Sequence, residues 1–215
     1  MVIGKGKYLL CTLLHTLTYG VRVWRPVRSG AMAVAAAGLA CSLAPASQAQ
    51  HHLAPEAGPA RAAYILTGRV VRVSDGDTFN LLVNGKEQRI RMASIDAPEI
   101  KKDRQQPGQD QAQASRQALS ALIAGKTLTL ACFERDRYDR YICDVPLGDG
   151  MTANQKQVAM GMAWANMEGR GKFMRDPGIP ALEQQARRER AGIWGHGNPV
   201  RPWVWRYQCW QQQQC

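Results

Sequence analysis

From Ile65 to Asp96 the chain reads "ILTGRVVRVSDGDTFNLLVNGKEQRIRMASID", three runs of apolar and β-branched residues separated by Asp75-Gly76 and Asn84-Gly85. Both dipeptides favour hairpin turns, so the pattern predicts three strands in succession. The period then changes. In "DQAQASRQALSALIAG" the residues Ala118, Leu119, Leu122 and Ile123 fall on one face of a helix that Gly125 stops. "KTLTLACFE" and "RYICDVPL" read as a further strand pair around a charged turn, and "MTANQKQVAMGMAWA" as a short helix ending near Gly161. "PALEQQARRERAGIW" reads as a last helix, with Pro at its start and Gly192 at its end. Runs of strands broken by helices predict an α+β fold built on a small antiparallel barrel; a parallel sheet would need more regular alternation.

The ends of the chain are different. Residues 1–49 carry five bases (Lys5, Lys7, Arg22, Arg25, Arg28) and no acid, and contain the apolar run "GAMAVAAAGLACSLA" followed by "PASQAQ". A basic stretch, an apolar run and small residues at Ser47 and Ala49 are the layout of an export signal. An additional apolar run, "YLLCTLLHTLTYGV", lies ahead of it and would allow the N-terminal segment to anchor in a membrane. The expected organisation is 1–49 as signal or membrane-targeting segment, 50–63 as an Ala/Pro/Gly-rich linker, 64–196 as the globular domain and 197–215 as a tail. That tail, "WVWRYQCWQQQQC" at its close, shows no assignable chemistry. The expected destination is the periplasm or the exterior.

Charge and cysteines sharpen this picture. Taking the five N-terminal bases from the formal net charge of +11 leaves +6 for the remainder, compatible with a polyanionic partner. After residue 49 four cysteines remain, Cys132, Cys143, Cys209 and Cys215, an even number that suits disulfides in an exported chain. Three pairings are open. An antiparallel strand pair centred on Arg137 and Tyr138 sets Cys132 opposite Cys143, which would leave Cys209 with Cys215. None of the four forms a C-x-x-C pair, and the histidines show no ligand spacing, so zinc and thioredoxin-type chemistry have no support. A catalytic metal would have to take oxygen ligands.

Four features carry the candidate chemistry: "SDGDT" with Asp77, then Arg91, then "IDAPE" with Asp96 and Glu99, then "RDRYDR" with Arg137 and Arg140. Singly each has an ordinary explanation, as a turn cap, an ion pair or a solvated tip. Together they make a coherent set. Two carboxylates and a backbone carbonyl form an oxygen site suited to calcium. Two arginines hold phosphate through paired hydrogen bonds. A further carboxylate can activate water, and these are the parts that phosphodiester hydrolysis requires. The geometry carries one condition. Arg91 and Asp96 are five residues apart and would face opposite ways in an unbroken strand, so the strand must bulge or end between them.

The order of "SDGDT", the Arg five residues before the Asp of "IDAPE", the "DRYDR" turn and the closing Glu183, Ala186 and "GIW" resembles the staphylococcal nuclease (thermonuclease) family from about Gly68 to Trp194. The resemblance implies an OB-fold, a five-stranded antiparallel β-barrel with about three packed helices, and calcium-dependent cleavage of DNA and RNA by a monomer. It implies Asp77, Asp96 and the Ala97 carbonyl as calcium ligands, Glu99 as general base, and Arg91 and Arg140 as the phosphate-binding arginines. Arg137 and Tyr138 match positions near a terminal phosphate of the substrate. The chain departs from the family at Asp139, which replaces a turn glycine and adds a negative charge, and at Met167 and Gly169, which stand near positions where tyrosines are found. The competing class is an OB-fold module that binds nucleic acid or protein without cleaving; such modules are expected to have lost part of the carboxylate and arginine set. A purely structural envelope role gives no reason for clustered acids and arginines.

Overall fold

In the computed structural model, which describes residues 61–215, the three-run pattern folds as β1 (Tyr64–Val73), β2 (Thr78–Val83) and β3 (Lys86–Met92), joined by the two predicted turns. The residues expected to form the signal segment, and nearly all of the linker, lie outside the described residues. The predicted helix follows as α1 (Ala112–Ile123), and the predicted pair as β5 (Thr127–Arg135) and β6 (Tyr141–Asp144). Strands β1, β2, β3, β6 and β5 close into a barrel in that order. Four neighbouring pairs are antiparallel, and β3 with β6 is parallel. A ring of five strands cannot alternate direction at every pair, so the expectation of a wholly antiparallel barrel is corrected at this seam by closure itself.

The barrel interior is filled by the inward residues of the alternating strands, among them Phe79, Leu81, Ile90, Met92 and Leu130, all at most 1% exposed. Burial of each such side chain stabilises the fold by roughly 1.5–3 kcal/mol before entropy is counted. Leu119 and Ile123 of α1 join the same core, as their spacing predicts. Cys132 and Cys143 are directly paired across β5 and β6 and form a disulfide, and Cys209 joins Cys215.

Helix α2 (Ala153–Ala159) begins at a capping box, in which the Thr152 side chain accepts from the Gln155 amide and the Gln155 side chain accepts from the Thr152 amide. Its inner face carries two fully buried amides rather than apolar residues alone. Asn154 donates to the carbonyls of Ala93 (2.9 Å) and Cys143 (3.1 Å), and its oxygen accepts from Val145 N–H (3.0 Å). Gln157 donates to the carbonyls of Gly76 (2.7 Å) and Ser115 (3.1 Å). One helix thus clamps both the turn before β2 and the end of β3.

Beyond α2, Trp164–Ala165 form β7, which pairs with the two-residue strand β4 (Ile95–Asp96). An irregular turn α3 (Glu168–Gly171), the helix α4 (Ile179–Arg188) and a 3₁₀ turn (Gly192–Gly195) complete the domain. The last residues are also ordered onto it. Helix α5 (Pro202–Trp205) runs into a π-helical stretch (Arg206–Gln211). Among the described residues no helix is long and apolar enough to cross a membrane.

Candidate active site

Asp77 stands at the mouth of β2, behind Gly76. That glycine does not adopt a left-handed conformation; it is required by proximity. A Cβ there would lie 1.8 Å from Ser115 Oγ and 2.7 Å from the Ala97 Cβ, so α1 and the 97–99 segment can approach only a bare backbone. Asp77 is buried at 4% exposure, with Oδ1 accepting from Thr78 Oγ1 (3.0 Å) and Oδ2 from the Ala97 amide (2.6 Å).

The condition on Arg91 and Asp96 is met by a break in the strand. β3 ends at Met92, and Ser94 takes a left-handed conformation at φ 66° before the chain restarts as β4. The Ser94 carbonyl accepts from Asn166 N–H (2.8 Å), and its hydroxyl oxygen accepts from the amides of Arg175 (2.8 Å) and Asp176 (3.0 Å), which holds the unfavourable conformation in place. Asp96, 1% exposed, therefore turns back to the side of Arg91. Arg91 pairs with Asp77 through Nη1 and with Asp96 Oδ1 through Nη2 (2.6 Å). Burial raises the Asp77 pKa to about 6, against the opposing pull of Arg91. Burial also works against the Arg91 charge, but Asp77 and Asp96 more than offset it.

Glu99 lies at the head of the loop after β4, its amide donating to Gln109 Oε1 (3.1 Å). Burial raises its pKa, partly opposed by a neighbouring guanidinium. That guanidinium belongs to Arg206, in the tail for which no chemistry was expected. Arg206 bridges the two acids: Nη1 to Glu99 Oε1 (2.6 Å) and Asp96 Oδ1 (3.2 Å), Nη2 to Asp96 Oδ2 (2.8 Å). The sequence held one faint signal of it, an arginine set among tryptophans next to a short disulfide loop.

Arg140 does not touch these carboxylates. Its guanidinium is held by Asp136 (Nε to Oδ2, 2.7 Å), and Asp136 also accepts from the Arg140 amide (3.0 Å). Burial would raise the Asp136 pKa, but these bonds outweigh it and hold the acid below its ordinary value. Arg140 does line a cleft of about 380 Å³ together with Thr78, the neighbour of Asp77, and Ile100, the neighbour of Glu99. Arg72, Arg89 and Lys102 line it too, against the single acid Asp75, so the cleft is strongly basic. Arg137 and Tyr138 sit at the β5–β6 tip, outside the cleft lining. Tyr138 is exposed, with the guanidinium groups of Arg137 and Arg140 at 4.8 and 5.4 Å from its ring. Asp139 adopts the left-handed conformation of the glycine it replaces (φ 61°), and its carboxylate pairs with Arg135 at 2.7 Å. The added negative charge is therefore directed at Arg135 rather than at Arg140.

Among the described residues no group of three or more His, Cys, Asp or Glu side chains is arranged to hold a metal. The donors expected from the sequence, the Asp77 and Asp96 carboxylates and the Ala97 carbonyl, are all oxygens, and the two carboxylates are here engaged by Arg91 and Arg206. They suit a hard cation that completes its shell with water and substrate.

A family model described as staphylococcal nuclease homologue matches residues 89–196, half of the chain. The chain belongs to that family. This nuclease homologue is 42% identical over 140 residues to an uncharacterized endonuclease of Escherichia coli O157:H7, covering 65% of this chain and 84% of that one. It is 37% identical over 147 residues to a micrococcal nuclease of Shigella flexneri, covering 65% and 79%. An uncharacterized endonuclease of Haemophilus influenzae is 36% identical over 143 residues, covering 66% and 74%. The barrel order and the helices packed on it are those of the OB-fold expected for the family. The family match ends before the tail that carries Arg206.

Proposed function

We propose that this chain is an exported, calcium-dependent nuclease that hydrolyses phosphodiester bonds of DNA and RNA. The observation that carries the reading is the convergence of two buried carboxylates, Asp77 and Asp96, on Arg91 at the edge of a basic cleft, with Glu99 beside them. Buried acids cost free energy unless they are paired or hold an ion, and perturbed carboxylates cluster at functional sites. The disulfides support an oxidising destination.

In this reading Asp77, Asp96 and the Ala97 carbonyl hold the ion. When bound, calcium neutralises charge on the phosphoryl oxygens and fixes the scissile group in the site. Glu99 accepts the proton of the attacking water. Arg91, with more N–H donors than its two acids use, stabilises charge developing at phosphorus, and Arg140 holds a phosphoryl oxygen from the cleft. Arg137 and Tyr138 meet the strand further out.

The test is cleavage of denatured DNA by the purified protein, with calcium and with chelator, beside Glu99→Ser and Arg91→Ala variants. Calcium-dependent cleavage that falls on the order of 10²-fold or more in each variant is expected. Cleavage that persists in chelator, or is unchanged in Arg91→Ala, would overturn the assignment.

A further inference from the structure

The C-terminal segment is tied down at several points, and most of them bear on one loop. The indole N–H groups of Trp205 and Trp210 both donate to the Pro107 carbonyl (2.9 and 3.0 Å). Gln109 donates to the Val200 carbonyl (2.7 Å), and Gln213 to the Gln105 carbonyl (3.1 Å). Lys102 lies 4.3 Å from the centre of the Trp210 ring. On the other side Trp203 packs against the cluster of Trp164, Ala186, Ile193 and Trp194. The Cys209–Cys215 disulfide closes the end of the segment on itself, with Cys209 buried. The loop so clamped begins at Glu99, and the clamp delivers a single charged side chain to the site.

That side chain is Arg206, and its position is specific. It reaches both oxygens of Asp96 and one oxygen of Glu99, which are the proposed metal ligand and the proposed base. A guanidinium satisfied by the buried Asp96 and the half-buried Glu99, and a divalent cation ligated by Asp96, require the same lone pairs of Asp96. We propose that Arg206 is a tethered cation that competes with the divalent metal for Asp96 while it engages Glu99, so that metal loading and docking of the C-terminal strap oppose each other. The proposal rests on the metal-site reading given above. It makes the strap a built-in brake: where the divalent cation is scarce, the acids are neutralised from within and the base is engaged.

Linkage makes the competition reciprocal, because whatever factor the strap removes from metal affinity, the metal removes from strap docking. Calorimetric titration of the full chain with calcium should therefore show tighter binding in Arg206→Ala, by about fivefold or more. Trp210→Ala, which leaves Arg206 and both acids in place and only loosens the strap, should shift affinity the same way by less. In the wild-type protein calcium should speed amide hydrogen exchange across residues 202–211. Equal or weaker calcium binding in both variants, or slower exchange of the strap with calcium, would overturn the competition while leaving the calcium site standing. Absence of calcium binding in the wild type and in both variants would overturn the site and the competition together.

Discussion

Asp144 shows how one half-buried acid contributes to the pH response of this protein. It lies in β6 beside the Asn154 amide, which donates to its Oδ1 at 3.1 Å, and faces Asp176 with no cation paired to it among the described residues. Burial, and then the Asp176 charge, raise its pKa to about 7. Because the folded value lies above the unfolded one, the folded protein keeps a proton between about pH 4 and pH 7 that the unfolded chain releases. Stability conferred by the protonated form is thus present below this window and is lost as pH rises through it. Asp144→Asn removes the cost of ionisation, so its melting temperature should exceed the wild type by several degrees at about pH 8 and match it at about pH 4. Equal melting temperatures at both values would show that the acid is solvated. Asp77 is the contrasting case, a buried acid whose cost is partly offset by Arg91 and by the Ala97 amide.

At the scale of elements, the site exists because one strand is interrupted. β3 must end and β4 must begin within two residues, and the break is stabilised from outside by the hydrogen bonds to Ser94 and by Asn154 of α2. Asn154 satisfies the Ala93 and Cys143 carbonyls and the Val145 amide at once. Asn154→Ala would strand the Ala93 carbonyl and the Val145 amide in a dry interior, while the Cys143 carbonyl keeps the Ala93 N–H, at a cost of about 3 kcal/mol in chemical denaturation. A cost below about 0.5 kcal/mol would show that the clamp is dispensable. The other clamp, Gln157 on the Gly76 carbonyl, holds the turn that carries Asp77. Helix α2 thus holds the backbone on either side of the two proposed metal-site carboxylates, Asp77 and Asp96.

For the whole molecule the relevant property is where the positive charge lies. Arg72, Arg89, Lys102 and Arg140 line one cleft beside the carboxylates, a placement that draws a polyanion across the site. Binding of a single-stranded oligonucleotide to the Glu99→Ser protein should weaken linearly with the logarithm of salt concentration. Replacing Arg72 and Arg89 by serine should reduce the slope by about 1.4, at about 0.7 for each phosphate that is no longer neutralised. An unchanged slope would place the strand elsewhere.

How much of this was legible beforehand follows from how local each feature is. The hairpins at Asp75-Gly76 and Asn84-Gly85, the apolar face of α1 and the Cys132–Cys143 pairing depend on neighbours in sequence or across one turn, and the pattern shows them directly. The motif order of Asp77, Arg91, Asp96 and Glu99 was equally visible, with the need for a strand break between Arg91 and Asp96. The parallel β3–β6 seam, the two-residue pair β4–β7 and the buried amides of α2 leave no period, since each depends on where distant segments meet. Arg206 is the extreme instance. It sits 107 residues from Glu99, in a tail whose sequence gives only a faint signal of it. Local patterns are written in the chain because they are imposed by neighbouring backbone; which charge neutralises a buried acid is imposed by the closed fold, where a cation from any part of the chain can supply it.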